Sequence, residues 1–284
     1  MIVALWGTCA LYYFTAGLAV NLGYHRLLAH RSLSLPKGLE RLFVTLGLGA
    51  GTPVQWTGNH RQHHARVDRK GDPHSPRLGF WHAHNGWYIG ARSPWLCAAY
   101  ALAGPLRLLF DGWHRPRSNR EHEHLAVDVA ADRYYRFLGR PNVYLAIAVA
   151  HVAFVFGGAT WVWGVPGLLA LWVTLVVIYN LGDAVDSVGH LFGTQPFLGA
   201  GRARNNRVLG WFALGDGWHA NHHRFPWSAR HGLFPGQVDW TDGAIRALEW
   251  LGLARKVRRA SAEDLARAWR PEQEDLEEST HVAG

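Results

Sequence analysis

Two long stretches of this sequence carry no formal charge, and they limit what the chain can fold into more than any other feature. Residues 1–24 contain no Asp, Glu, Lys or Arg, and as a helix they would reach roughly 36 Å, enough to cross a bilayer. A second uncharged run extends from Pro141 to Gly182; at roughly 63 Å as a helix it is too long for one crossing and right for two. Gly157, Gly158, Gly164, Pro166 and Gly167 gather in its middle and predict a break there. Spans are therefore expected near 2–24, 142–160 and 165–185. The first lacks a basic leader and a small-residue cleavage motif, so it reads as mature structure rather than a removable signal. Shorter uncharged runs at 42–59 and 93–106 read as interfacial segments or segments buried against the protein.

All 29 Lys and Arg residues fall between Arg26 and Arg140 or after residue 200. By the positive-inside rule both basic regions face the cytoplasm, which predicts a multi-pass cell-membrane protein whose last two spans form a hairpin. The net charge of +8 comes without any nucleic-acid-binding motif, so no nucleic acid is expected; anionic lipid, a phosphate-bearing substrate or an acidic redox partner suit it better. Cys9 and Cys97 alone imply no disulfide framework. The domain is expected to occupy residues 1–260, with 261–284 a cytosolic, partly disordered tail of acidic character.

Between the apolar runs the chemistry-bearing residues are histidines. His60, His63 and His64 stand at offsets i, i+3 and i+4, and the spacing recurs at His219, His222 and His223. Those offsets put three rings on one helix face, where they can converge on a metal. His25 and His30 follow the first span at offset five, roughly 140° apart on a regular helix, so one must reach from a frayed or turning end. Asp183, Asp186 and His190 follow the last span at i, i+3 and i+7. The expected topology brings all four groups to one side. Nine imidazoles and the Asp186 carboxylate exceed what one ion of four to six ligands can use, so two metals are the economical reading. Imidazole suits zinc, copper, iron and nickel; the absence of thiolate ligands argues against iron–sulfur and Cys-type zinc sites. A membrane zinc hydrolase would leave most of the nine unexplained, and a haem carrier would pair its histidines inside the bilayer. His114, His231 and His281 read as ordinary satisfied groups, and His122 and His124 as solvent-exposed. His151, inside an apolar run, is either functional or hydrogen-bonded to a neighbouring helix.

These motifs resemble the membrane fatty-acid desaturase family, most closely its bacterial acyl-CoA delta-9 branch. The resemblance runs through "GYHRLLAHRS", "NHRQHHARVDRKGDPHSPRLGFWHAHNGW", "DSVGHLFGTQPF", "ARNNRVLGWFALGDGWHANHHRFPWSARHGL" and "IRALEWLGLARKV". It implies an all-α integral membrane protein with a cytosolic helical cap, and a di-iron centre held by His25, His30, His60, His63, His64, His190, His219, His222 and His223. It further implies O2-dependent insertion of a cis double bond into a saturated fatty acyl chain, acyl-CoA being favoured. Electrons would come from a separate donor such as ferredoxin, rubredoxin or cytochrome b5 with its reductase, since no haem-binding "HPGG" is present.

Three departures from the family pattern stand out. Asp186 replaces the Asn of "NSxxH", where a carboxylate could ligate directly or through water and turn the outcome toward hydroxylation. Before the second box, "WTGNHRQHH" keeps Trp56, matching an aromatic of the acyl tunnel, but puts Gly58 and Asn59 in place of an Arg-Asp pair that holds CoA. Trp56 and Asn59 are thus the candidate substrate-binding residues, and a phospholipid or acyl carrier protein remains open as carrier. Relatives have four spans, so residues 1–24 correspond to the second. The alternative function is a di-iron hydroxylase or acetylenase acting on a lipid-like specialised metabolite. Gly215 and Gly217 are expected to let the backbone approach the metals.

Overall fold

The computed structural model describes residues 2–197 and 200–268. Among them every named element is helical, and extended pairing is limited to isolated bridges such as Ser34 with Arg255 and Asn205 with Trp218. Two helical runs are long and apolar enough to cross a membrane, Ile2–Ala29 and Pro141–Leu191. The 51-residue length of the second would be roughly 76 Å if straight. It is not straight. Gly164 takes φ 67°, ψ −154° inside Gly158–Asp186, a left-handed conformation that glycine adopts without a Cβ penalty. Pro166 follows, where a missing N–H costs least. A Cβ on Gly167 would lie 2.5 Å from the carbonyl oxygen of Ala159, so close packing needs glycine there. Phe156 and Ala159 on one side of Gly164 share a cluster with Leu171 and Leu175 on the other.

The first run changes character halfway. Ile2–Leu18 is α-helix, with Val3, Trp6 and Leu11 exposed, but Ala19–Ala29 is a π-helix and almost wholly buried. His30 closes it, its N–H donating to the His25 carbonyl at 3.1 Å. The larger core cluster joins this segment (Leu22, Tyr24, Leu27, Leu28) to Val44, Val54, Tyr135 and Ile245.

The run at 42–59 is not one element. Lys37–Leu46 is α-helix, Gly47–Ala50 a 3-10 turn, and Pro53–Arg66 the next helix. Four side chains take the turn's carbonyls: Tyr144 donates to Leu48, Tyr179 to Gly49, Arg115 to Ala50 and Tyr24 to Gly51. Buried backbone oxygens need such partners, so the turn is tied to four neighbouring segments. The run at 93–106 forms the helix Pro94–Ala101, a turn at Gly104 (φ 52°), and the start of the helix Pro105–His114. Of the expected C-terminal tail, residues 262–268 are helical, with Leu265 and Ala268 packed against a cluster containing Phe197, Phe225 and Leu233. The remainder, with His281, lies outside the described residues.

Candidate metal centre

The helix Pro53–Arg66 is started by Thr52, whose hydroxyl accepts from the Gln55 N–H at 3.2 Å, and by Pro53 at its first position, where proline is pre-organised. A Cβ on Gly58 would meet the His122 carbonyl at 2.3 Å, so the helix packs backbone to backbone there; His122 is half-buried and His124 exposed. The helix His219–Arg224 is only six residues long, too short to persist by itself. Asn221 holds it: its N–H donates to Asn205 Oδ1, and its amide donates to the His231 carbonyl and Gln237 Oε1, both at 2.8 Å.

The nine histidines gather in two groups. Nitrogens of His25, His30, His60, His64 and His222 lie within 4.8 Å of one another, and so do those of His63, His190, His219 and His223. Each triplet is therefore divided rather than converging whole. The i and i+4 rings of one helix point into one group and the i+3 ring into the other, because i+3 and i+4 lie roughly 100° apart around the axis. The two boxes do this reciprocally: His60 and His64 share the first group with His222, and His219 and His223 share the second with His63. The offset of five between His25 and His30 is met by the π-helix, whose i→i+5 bonds stack such residues; no fraying is required. Their ring centroids are 5.1 Å apart.

The donor chemistry fits cations. His25 Nδ1 lies 2.8 Å from Asp216 Oδ2, and His63 Nδ1 lies 2.9 Å from Asp72 Oδ1. An ionised carboxylate only accepts, so each Nδ1 carries the proton and each Nε2 presents a lone pair. Those lone pairs face others: His25 Nε2 is 3.0 Å from His222 Nε2, and His63 Nε2 is 3.3 Å from His223 Nε2. Burial holds His30, His60, His63, His64, His219, His222 and His223 well below the ordinary histidine range, and neighbouring rings push the same way. Neutral imidazoles with converging lone pairs are the form that binds a metal.

The supporting carboxylates differ. Burial alone would raise Asp216, but His25 and His231 outweigh it and hold the carboxyl well below the usual range. Arg26 Nη2 adds an ion pair at 3.2 Å to Asp216 and one at 3.0 Å to Asp239. At Asp72 burial wins: the carboxyl is pushed up to about 6 although the N–H groups of Asp68 and His74 donate to it.

Asp186 belongs to neither histidine group. Its Oδ1 lies 3.7 Å from His74 Nδ1, and it lines a cavity of about 200 Å³ together with Trp56, Asn59, His60 and His219. Direct ligation by Asp186 is therefore not what this geometry offers. Trp56 stacks on His60 with centroids 5.0 Å apart. The cavity wall continues past Val20 and Leu175 to Tyr12 and His151, which hydrogen-bond to each other at 2.8 Å across the apolar helices. His114 bonds to the Tyr88 carbonyl.

Sequence reasoning passed over His74, Asp72, Asp216 and His231. His74 stacks on His63 at 4.1 Å, and His231 lies 4.5 Å from the His222 ring and 3.1 Å from Asp216. The signal was available: Asp72 and His74 follow the second box within ten residues, and Asp216 precedes the third by three. Gly215 and Gly217 serve other neighbours than the metals. A Cβ on Gly215 would meet Asp239 Oδ1 at 2.3 Å, and one on Gly217 the Gly210 nitrogen at 2.2 Å.

An all-helical protein with two buried polyhistidine groups beside apolar helices is the class that this fold and site define. The sequence model of the fatty acid desaturase family matches residues 2–240. The chain is 35% identical over 253 residues to the sn-1 stearoyl-lipid 9-desaturase of Anabaena variabilis, covering 88% of this chain and 82% of that one. It is 36% identical over 258 residues to the acyl-CoA C20 Delta5-desaturase of Anemone leveillei (90% and 74%), and 32% identical over 251 residues to an sn-1 stearoyl-lipid 9-desaturase of a Synechocystis strain (87% and 70%). The chain belongs to the fatty acid desaturase family.

Proposed function

We propose that this protein is an O2-dependent acyl desaturase with a di-iron centre, His25, His30, His60, His64 and His222 holding one iron and His63, His190, His219 and His223 the other. The observation that carries it is the two groups of converging imidazole nitrogens beside one cavity that runs on into the apolar helices. Two irons, when bound, supply the redox chemistry that reduces dioxygen with two electrons from a separate donor while two hydrogens leave adjacent methylenes. The chain's own residues do the rest. Asp216 and Asp72 fix the tautomers of His25 and His63, Trp56 backs His60 as a rigid wall, and Ala16, Val20 and Leu175 line the slot for the alkyl chain. Relatives named for lipid-linked and for CoA-linked substrates both match, so the head group stays open between the two while the saturated alkyl chain is common.

The protein is read as crossing the membrane three times, at 2–24 and on each side of Gly164, with the histidine groups on the cytoplasmic face of a domain spanning residues 1–260. The run lengths, the kink at Gly164 and the Lys and Arg distribution support this. Ferredoxin, rubredoxin or cytochrome b5 with its reductase are candidate donors. The test is expression in a desaturase-deficient host with lipid analysis, using His63→Ala as control. New monounsaturated chains and two irons per chain are expected; an oxygenated product of unchanged unsaturation would replace the reading with the hydroxylase one.

A further inference from the structure

The helices Pro94–Ala101 and Pro105–His114 invert the usual arrangement of a surface helix pair. From Ser93 to His114 the charged residues are Arg107 and Asp111, and these are 2% and 0% exposed. Arg107 donates to both oxygens of Asp183, at 2.8 and 3.1 Å, and Asp111 pairs with Arg115 at 3.2 Å and accepts from Tyr100. The outward positions are apolar: Trp95 is 85% exposed and Leu102 65%, with Leu106, Phe110 and Trp113 also exposed. Soluble proteins rarely leave so contiguous an apolar face in water.

The position of the pair along the apolar helices says what covers that face. The indole N–H of Trp172 donates to the Leu102 carbonyl at 3.1 Å, and the amide of Asn180 donates to Ala101 at 2.9 Å. Trp172 lies roughly 21 Å along its helix from Asp186 and Asn180 roughly 9 Å. On the other side, Gly112 packs against Leu145 and Ala148, roughly 6 and 10 Å along from Pro141. The pair thus lies alongside the apolar helices, within their length. The terminal carbonyls of a helix have no intrahelical partner, and in hydrocarbon they must find one in the protein. Trp172 and Asn180 supply it at the tip, and Leu102 and Ala103 close the turn by donating to Ala98 and Tyr100.

We propose that Pro94–His114 is a re-entrant helical pair embedded in the cytoplasmic leaflet, its Trp95, Leu102, Leu106 and Phe110 face in contact with lipid acyl chains. This rests on the three-crossing reading above. It also explains how Arg107 and Arg115 come to line the cavity: the pair carries them in from the lipid side.

The test uses the full chain, labelled with bimane in detergent at single introduced cysteines and then reconstituted into phosphatidylcholine–phosphatidylglycerol vesicles with nitroxides on the lipid chains. Cys9 and Cys97 are buried, so the wild-type chain sets the blank. Leu102→Cys and Leu106→Cys are compared with Val173→Cys, exposed on the apolar helix, and Trp250→Cys, exposed on the helix Trp240–Trp250. Quenching at 102 and 106 is expected to match that at 173 and to exceed that at 250 about fivefold, as a hydrocarbon location requires. Quenching at 173 but not at 102 and 106 overturns the proposal and leaves the three crossings standing. Protection of 102 and 106 from water-soluble maleimide without nitroxide quenching also overturns it, with protein as the covering partner. Absence of quenching at 173 overturns both readings together.

Discussion

The two histidine groups are built alike and differ by one ring. Each takes an i, i+4 pair from one box and the i+3 ring from the other; the first adds His25 and His30, the second only His190. Their supports differ as well. Asp216, anchoring His25, is locked among Arg26, His231 and His25, whereas Asp72, anchoring His63, is pushed up to about 6 by burial. One group is over-provided with donors and rigidly backed. The other has the smaller ligand set, the weaker anchor and, one turn before His190, a carboxylate turned toward the cavity. Near-symmetric boxes thus make two unequal sites, the inequality coming from the segments that end the apolar helical runs.

The comparison can be broken most decisively at its thinnest point. His63→Ala leaves three donors in the second group and is expected to abolish desaturation and remove one of two irons, whereas His222→Ala leaves four in the first and should retain both, as iron analysis would reveal. Equal iron loss in both variants would mean that donor number does not set the difference. Acidity attacks both groups together. Burial holds His30, His60, His63, His64, His219, His222 and His223 below the unfolded value of about 6.5, so the unfolded chain binds more protons as pH falls. Stability is therefore full above 6.5 and is lost below it, by about 1.4 kcal/mol per imidazole per pH unit. Metal-free protein should melt progressively lower between pH 7 and 5, and a flat melting profile would contradict neutral burial.

The anchors come next. Asp216→Asn removes the charge facing buried Arg26 and should cost about 3 kcal/mol in thermal unfolding, together with iron retention. Asp72→Asn should leave stability nearly unchanged while weakening iron affinity about 10-fold, measured by chelator competition. If the two variants are indistinguishable, the anchors are equivalent and the asymmetry lies only in ring count. The smallest effect is expected at Asp186→Asn. Because Asp186 touches neither group, product identity should not change; a switch in the ratio of hydroxylated to desaturated product would bring Asp186 back into the reaction.

Much of this site was legible in the sequence, for reasons that also explain what was not. The recurrence of His60, His63 and His64 at His219, His222 and His223 exposed the boxes, because helical period assigns side chains to a face. Period says nothing about how many centres the face serves, so the division of each triplet appeared only with the opposing helix in place. The offset of five at His25 and His30 was readable as an anomaly but not as a π-helix, since that departure from α geometry is stabilised by tertiary packing around Ala19–Ala29. His74 and His231 look ordinary in sequence and acquire meaning from the rings they lie against. The region 93–106 was recognisable as apolar, but its partner charges Arg107 and Asp111 and their inward pairing required the fold.

On the three-crossing reading proposed above, the π-helix at Ala19–Ala29 also bears on how the first run fits a bilayer. Ile2–Ala29 counts 28 residues, roughly 42 Å as an ideal α-helix against a hydrocarbon layer of about 30 Å. Each wider π turn spends more residues on a shorter advance, so on that reading the distortion that brings His25 beneath His30 also shortens the run at the end where it leaves the bilayer. On the same reading part of the hydrophobic mismatch is relieved inside the helix, and less of it is left to tilt.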